Sequence, residues 1–431
     1  MKLKPFQEVG RDFLAARQRA LLADEMRLGK TPQAIMAAKK IRAKRILVLC
    51  PAIAQMGWQK MFADWWPGQY AAITSYDKAR LNRKEYASRG WDVLILDESH
   101  YLKNWETART RAVFSKGGIA WNAQYIWALS GTPAPNHIGE LWPLLRAFGV
   151  TRLSYWSFVE GYCRVTDDCK IVGTRQEKAG ELREMLKPIM LRRLKSEVAS
   201  ELPPCTVAPY YVEPRPEYLG VHRPVHTDAW ADKHQRAELA LRKEIVDMTP
   251  DAMLAYLSER QAELASLRRY TALLKAPALV DTLRFELDLG ELDKVVVFGY
   301  HVDALRISFL MMKEYGFETR MLYGGTPEKK RERMISSFNS PRTKQCVLFA
   351  QIIAAGTAID LSAAHDGILL DRDWVPGNNM QALERMGGYN QKHPIHIRDF
   401  IIPGSVDEIV ARVVNRKMAE LGQVFDKEAN A

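Results

Sequence analysis

Short apolar runs rich in valine, isoleucine and leucine recur along this chain, with helix-like stretches between them. The runs are RILVLC (45–50), DVLILD (92–97), YIWALS (125–130), KVVVFG (294–299), QCVLFA (345–350), GILLD (367–371) and IHIRDFII (395–402). Near-continuous apolar strands are buried on both faces, and strands that alternate with helices pair in parallel, so the pattern predicts an α/β chain of parallel sheets flanked by helices. The runs fall into two groups, which predicts two lobes. Between them, residues 228–285 lack strand signals and carry amphipathic patterns such as DAMLAYLSERQAELASLRRYTALL, which predict a helical insertion. The proline-rich ELPPCTVAPYYVEPRP (201–216) reads as the link between lobes. Ser405-x-x-Glu408 has the pattern of a capping box and opens a closing helix, VDEIVARVVNRKMAEL. The expected division is a first lobe over 1–205, a linker and helical insertion over 206–285, and a second lobe over 286–431.

The 431 residues suit two or three domains, each able to bury its own core. Hydrophobic residues at 47% and charged residues at 26% exclude a disordered chain, and no apolar run approaches the roughly 18 residues of a membrane span. The N-terminus, MKLKPFQEVGRDFLAARQRA, lacks the apolar centre of a secretory signal, so a cytoplasmic protein is expected, nuclear in a eukaryote. Cys50, Cys163, Cys169, Cys205 and Cys346 are odd in number and form no C-x-x-C pair, which favours scattered reduced thiols over a metal site. The net charge of +11 suits a polyanionic partner, nucleic acid first.

Three segments carry candidate chemistry. In ADEMRLGKTPQAI (23–35), Gly29-Lys30-Thr31 follows a predicted strand and opens a helix. Backbone N–H groups and the helix N-terminus can then cradle phosphates, with Lys30 reaching the outer phosphates and Thr31 ligating magnesium. The strict phosphate-loop pattern wants glycine where Asp24 stands. Downstream, a strand ends in Asp97-Glu98-Ser99-His100. A strand-end aspartate can hold magnesium and the adjacent glutamate can deprotonate an attacking water, the requirement of phosphoryl transfer to water. In ALSGTPAPN (128–136), Ser130, Gly131 and Thr132 follow another strand, where small hydroxyl residues can couple nucleotide state to the neighbouring lobe.

The succession ADEMRLGKT, LCPAIAQMGW, ITSYDKA, DESHYLKN, ALSGTPAPNHIGELWPLL and IMLRRLKSEVASELPP resembles the Swi/Snf family of superfamily-two helicase-like ATPases over nearly the whole chain. AAGTAIDLSAA and FGYHVDAL look most similar to the annealing-helicase branch and to short bacterial or phage members. The resemblance implies two RecA-like lobes without the chromatin-targeting domains of nuclear members, and ATP and magnesium as cofactors. It implies nucleotide contacts from Gln7, Gly29, Lys30, Thr31, Asp97 and Gln381, with Thr31 and Asp97 on magnesium and Glu98, Arg385 and Lys30 catalytic. For Gln7 an amphipathic helix start is the plainer reading. Arg27 stands where the family usually has glycine.

QALERMGGYNQK (381–392) resembles the family's Q-A-x-x-R-x-x-R-x-G-Q. Gln381, Ala382, Arg385 and Gln391 fit, and Gly388 replaces the second arginine. Arginines that stabilise a transferring phosphoryl group are worth about 10³- to 10⁵-fold in rate. Arg385 acts alone in a slower reaction, or a cation such as Lys392 substitutes, or ATP is bound without effective turnover. Ala358 for a family glycine and Gly387 for a polar residue add to the departure.

The resemblance further implies a monomer that moves on double-stranded or branched DNA, with a targeting or nuclease partner unidentified and no membrane. The candidate DNA contacts are Ser75, Tyr76, Lys103, Arg192, Arg193 and Trp374, and Lys195 completes the basic cluster. A solvated helix face is the alternative for that cluster, and packing against its own lobe the alternative for Trp374. Three functions are carried forward: a DNA-dependent translocase that remodels or re-anneals its substrate, an ATP-responsive clamp with little hydrolysis, and an RNA helicase. GELWPLL and LRRLKSE speak against the last.

Overall fold

The computed structural model describes residues 1–199, 201–215, 228–245, 248, 256–257, 259–356, 359–388 and 390–426. Ala358, part of the expected linker and part of the expected insertion lie outside them. The chain divides into two compact units, 1–200 with 417–431, and 201–416.

In the first unit a six-stranded parallel sheet is built from β1 (Arg19–Leu22), β2 (Ile46–Cys50), β3 (Ala72–Ser75), β4 (Trp91–Asp97), β5 (Ala123–Leu129) and β8 (Met190–Leu191), in the order β3-β2-β4-β5-β1-β8. A short antiparallel hairpin pairs β6 (Cys163–Val165) with β7 (Ile171–Thr174). Alternation along β2 shows why the strands read as continuous apolar runs: Ile46, Val48 and Cys50 join one buried cluster and Leu47 and Leu49 join another on the opposite face.

The second unit repeats the plan with β9 (Cys205–Tyr211), β10 (Lys294–Gly299), β11 (Thr319–Leu322), β12 (Cys346–Gln351), β13 (Asp366–Leu369) and β14 (Ile395–Ile401), ordered β11-β12-β10-β13-β14-β9 and parallel throughout. Val295 and Val297 face one core, Val296 and Phe298 the other.

Three placements differ from the sequence expectation. Residues 205–211 do not merely link: they pair with β14 as the sheet's edge strand, where Pro209 is tolerated because one side of an edge strand has no ladder partner. Helix Gln261–Asp288 is not an appendage, since Tyr270, Leu273, Leu279, Val280 and Leu283 pack on Val295 and Val297. The closing helix, Val406–Phe425, contributes Leu421, Val424 and Phe425 to the first unit's core beside Ile138 and Tyr162. Ser405 does cap it, accepting from Asp407 N at 3.1 Å, while Glu408 pairs with Arg412.

Candidate active site

From the end of β1 the chain turns through Ala23–Gly29 into helix Lys30–Lys40. Gly29, the residue before the helix, has φ 73° and ψ 51°, a left-handed conformation that costs glycine nothing, and a Cβ there would lie 2.5 Å from Gln7 Nε2. Gln7 braces the loop, donating to Leu28 O at 3.1 Å and accepting from Lys4 N at 3.0 Å. Arg27 also lies at positive φ, 68°, which a side chain adopts only under constraint.

Asp24 is fully buried and is the loop's anchor. It accepts from Arg193 Nε at 2.9 Å and Nη2 at 2.5 Å, and from Gln33 Nε2 at 3.1 Å. Arg193 also donates to Gln33 Oε1 and to Phe6 O. Gln33 returns to Leu28 O and Gly29 O, so three segments distant in sequence hold one loop. The aspartate where the strict phosphate-loop pattern wants glycine is thus explained as half of a buried ion pair.

Lys30 Nζ donates to Asp24 O at 2.8 Å and Glu25 O at 3.3 Å. Burial draws its pKa below the ordinary lysine value, against the pull of Glu98, Asp24 and Asp97. Of these, Asp97 and Glu98 stand at the end of β4. Burial and the adjacent charge of Glu98 raise Asp97 to about 7, although Trp58 Nε1 donates to its Oδ2 at 2.7 Å. Glu98 takes φ 48° and ψ 55°, and its Oε2 has no hydrogen-bond partner among the described residues. His100 Nδ1 stands 3.4 Å from that oxygen and 3.1 Å from Ser130 Oγ, and burial lowers its pKa, leaving the ring neutral at pH 7. Ser130 in turn accepts from Thr132 N, so the DESH segment and the SGT segment share a polar contact. Thr31 is the second residue of the helix Lys30–Lys40, next to Lys30 in the chain.

Several expected DNA contacts are corrected. Tyr76 is 2% exposed: its hydroxyl donates to Asp97 O at 2.7 Å and its ring stacks on Tyr101, so it supports the acid pair from below. Arg193 is consumed by the loop anchor. Arg192 is likewise held inside, donating to Asp426 Oδ1 at 2.6 Å, Ala23 O and Gly131 O. Both guanidinium groups are thus engaged within the lobe. Lys195 N donates to Glu25 Oε2. Ser75 caps helix Tyr76–Leu81 through Lys78 N, and Lys103 Nζ lies 2.7 Å from Glu140 Oε1. In the second unit Trp374 is partly buried, with the Arg268 guanidinium 5.6 Å from its ring and 5.0 Å from that of Tyr300.

The described residues of the stretch 381–392 are held largely by the segment that precedes them, 356–364. Gln381 is buried at the end of helix Pro376–Leu383, and Arg385 Nη2 donates to Gly356 O at 2.6 Å. Gln391, 6% exposed, donates to Ser362 O, Ala364 O and Met386 O and accepts from Lys392 N and His393 N. Gly388 has φ 109°, so the position lacks an arginine and has also taken a backbone conformation that suits only glycine. Lys392 is exposed.

Trp58, Gln33 and Asp24 as an anchor had no assigned role in the sequence. Trp58 lies 39 positions from Asp97, and nothing in the local pattern of QMGW indicates that its indole will reach the acid pair.

Residues 67–259 match the SNF2-related domain and residues 275–390 the helicase conserved C-terminal domain. The phosphate loop precedes the first match, but full-length relatives align through it. The SWI/SNF-related matrix-associated actin-dependent regulator of chromatin subfamily A-like protein 1 of Xenopus tropicalis is 29% identical over 99% of this chain and 45% of its own length. The putative ATP-dependent helicase/translocase YwqA of Bacillus subtilis is 25% identical over 99% and 49%, and mouse DNA annealing helicase and endonuclease ZRANB3 26% over 99% and 41%. The chain therefore spans under half the length of each. Among solved structures, the Sulfolobus solfataricus SWI2/SNF2 ATPase core in complex with dsDNA covers 100% of this chain and 95% of its own, at 22% identity and TM-score 0.45.

Proposed function

Because this chain belongs to the SNF2 family of helicase-like ATPases, we propose that it hydrolyses ATP in response to double-stranded DNA and moves along it, remodelling or re-annealing DNA or nucleoprotein. The observation that carries this reading is the convergence of Lys30 with Asp97 and Glu98 at one end of the first sheet, where the charge of Glu98 acts on both Lys30 and Asp97. The residues also fit the cofactors. Burial, with the adjacent charge of Glu98, raises Asp97 to about 7 in a site short of positive charge, and Thr31 and Asp97 offer oxygen donors of the kind magnesium takes. When bound, the ion supplies charge neutralisation to the outer phosphates.

Lys30 exchanges Asp24 O and Glu25 O for phosphate oxygens, and Gln7, against the loop, faces the base. Glu98 accepts the proton of the attacking water. Its Oε2 is suited to that role because no hydrogen bond stabilises its charge. His100 and Ser130 carry the state of that acid into the SGT segment. We assign to Arg385, the remaining arginine of the closing stretch, the stabilisation of the transferring phosphoryl group, and to Gln381 a nucleotide contact. Ser75 and Lys103 of the first lobe and Trp374 of the second are the remaining candidates for sequence-blind backbone contacts.

The conformation of Gly388 favours a second reading, an ATP-gated clamp with weak turnover, because neither the glycine nor its backbone geometry supplies a finger. Steady-state phosphate release with and without duplex DNA separates the two. Native turnover that rises with duplex DNA and vanishes in Lys30→Ala supports the motor. Background turnover in the native chain, with ATP-dependent DNA binding retained, supports the clamp. Stimulation by duplex RNA in place of DNA would overturn the DNA assignment.

A further inference from the structure

The first unit contains a cavity of about 610 Å³ between helix Ala108–Phe114 and helix Trp142–Ala147 that the proposed ATPase chemistry does not use. Arg19, the first residue of β1, is on its wall, so it opens toward the strand starts, whereas Lys30, Asp97 and Glu98 lie at the strand ends. Its lining includes Arg19, Arg111 and Arg146 and the rings of Trp105, Trp121 and Trp142, and no carboxylate. Arg19 is committed to the carbonyls of Ala123 and Gln124 and contributes only its charge. Arg111 and Arg146 are exposed and have no ion-pair partner among the described residues. Trp121 is 60% exposed and Trp105 37%. Three cations without an anion, beside large apolar rings left in water, describe a surface that lacks its complement.

We propose that this cavity docks a partner-protein segment in which an aromatic or long aliphatic side chain is flanked by aspartate or glutamate. The anchor enters among the tryptophans, and the acids meet Arg111 and Arg146, whose planar forks suit carboxylates. A nucleic-acid strand fits less well. Trp105, Trp142 and Tyr155 lie edge to face or tilted, at 72°, 42° and 80°, so their faces cover one another and offer no platform for a base. The inner wall of Phe114, Ile126 and Pro143 has few polar groups, and the Thr110 hydroxyl is already 3.0 Å from that of Thr107. A base edge buried there would lose its hydrogen bonds, and an apolar side chain has none to lose.

The test is selection of random 12-residue peptides by display on the full chain, followed by titration of the enriched peptides by fluorescence anisotropy. Expected is an acidic family with an aromatic or aliphatic centre, weakened at least tenfold by Arg111→Glu with Arg146→Glu and several-fold by Trp121→Ala. The control pair Lys60→Glu with Lys187→Glu, of equal charge change, should leave affinity within twofold, and ATP should not compete. All variants should keep the native melting temperature. No enrichment, or enriched peptides indifferent to the arginine pair, overturns the proposal. So does a labelled single-stranded oligonucleotide whose binding the arginine pair alone abolishes while no peptide is selected.

Discussion

Strand β4 of the first unit and strand β13 of the second each deliver an aspartate at or just past a buried parallel strand, and the two acids stand in opposite electrostatic condition. Asp97 sits beside Glu98, and burial with that neighbour's charge raises it to about 7. Asp371 accepts from Tyr300 N at 3.0 Å, His301 N at 3.2 Å and His301 Nδ1 at 2.6 Å. Burial alone would push Asp371 up, but His301, Lys275 and Arg268 outweigh it and hold the carboxyl below its ordinary value. Around it Arg372 pairs with Asp399 and Lys275 with Asp407, so the acids there have cationic partners, although burial still raises Asp399 above its ordinary value. The two sheets thus carry an under-neutralised pair at one strand end and a hydrogen-bonded structural acid at another. On the proposed reading the imbalance marks the strand end that takes the nucleotide, where a bound cation would relieve what proton uptake by Asp97 otherwise relieves.

The most direct way to break this contrast is to neutralise each acid in turn. Glu98→Gln should lower DNA-stimulated hydrolysis by about 10²- to 10⁴-fold, while the melting temperature stays level or rises because repulsion with Asp97 is gone. A fall in stability with unchanged turnover would reverse the assignment of that acid. The loop anchor is tested next. Arg193→Ala leaves Asp24 charged and unpaired in the interior and should cost about 3–5 kcal/mol in urea denaturation. Were Arg193 instead a DNA contact, the variant would fold normally and lose only DNA affinity.

Asp371→Asn should act in the opposite sense from Glu98→Gln, lowering stability by about 1–3 kcal/mol with little change in turnover per folded molecule. Its pH signature follows from the depressed pKa. Asp371 contributes stability above its ordinary value of 3.8, and that stability is lost as pH falls through the lower folded value. His301→Ala removes the stabilising neighbour, so the acid-unfolding midpoint should move to higher pH; an unmoved midpoint would show that the pair is not what holds the acid down. The smallest effect belongs to Gly388→Ala, whose φ of 109° should cost on the order of 1 kcal/mol in strain. Gly388→Arg bears the same strain, so its turnover is compared with Gly388→Ala and not with the native chain. Faster hydrolysis in the arginine variant identifies the missing cation as rate-limiting; equal rates in both locate the limit elsewhere.

Much of this protein follows from local pattern. Parallel strands buried on both faces must be apolar at every position, which is why RILVLC, DVLILD and KVVVFG could be read as strands and the α/β class inferred. Gly29-Lys30-Thr31 and Asp97-Glu98 were equally readable, because a phosphate loop and a strand-end acid need particular residues within a few positions of one another. β3 (AITS) and β11 (TRML), each with only two apolar residues in four, offered no apolar run to read, and β9 was hidden by Pro209 and the prolines that flank it. The basic cluster Arg192-Arg193-Lys195 and Tyr76 looked like surface contacts because charge and aromaticity say nothing of burial. Their roles depend on partners such as Asp24, 169 positions away from Arg193, and Asp97, 21 from Tyr76. The same holds for the last turns of the closing helix: its amphipathic stripe required a core, but which unit's core received it was a matter of how the chain returned. Spacing along the chain specifies an element and its chemistry, whereas pairing across the chain requires the folded geometry, because a buried charge is defined by the neighbour that compensates it.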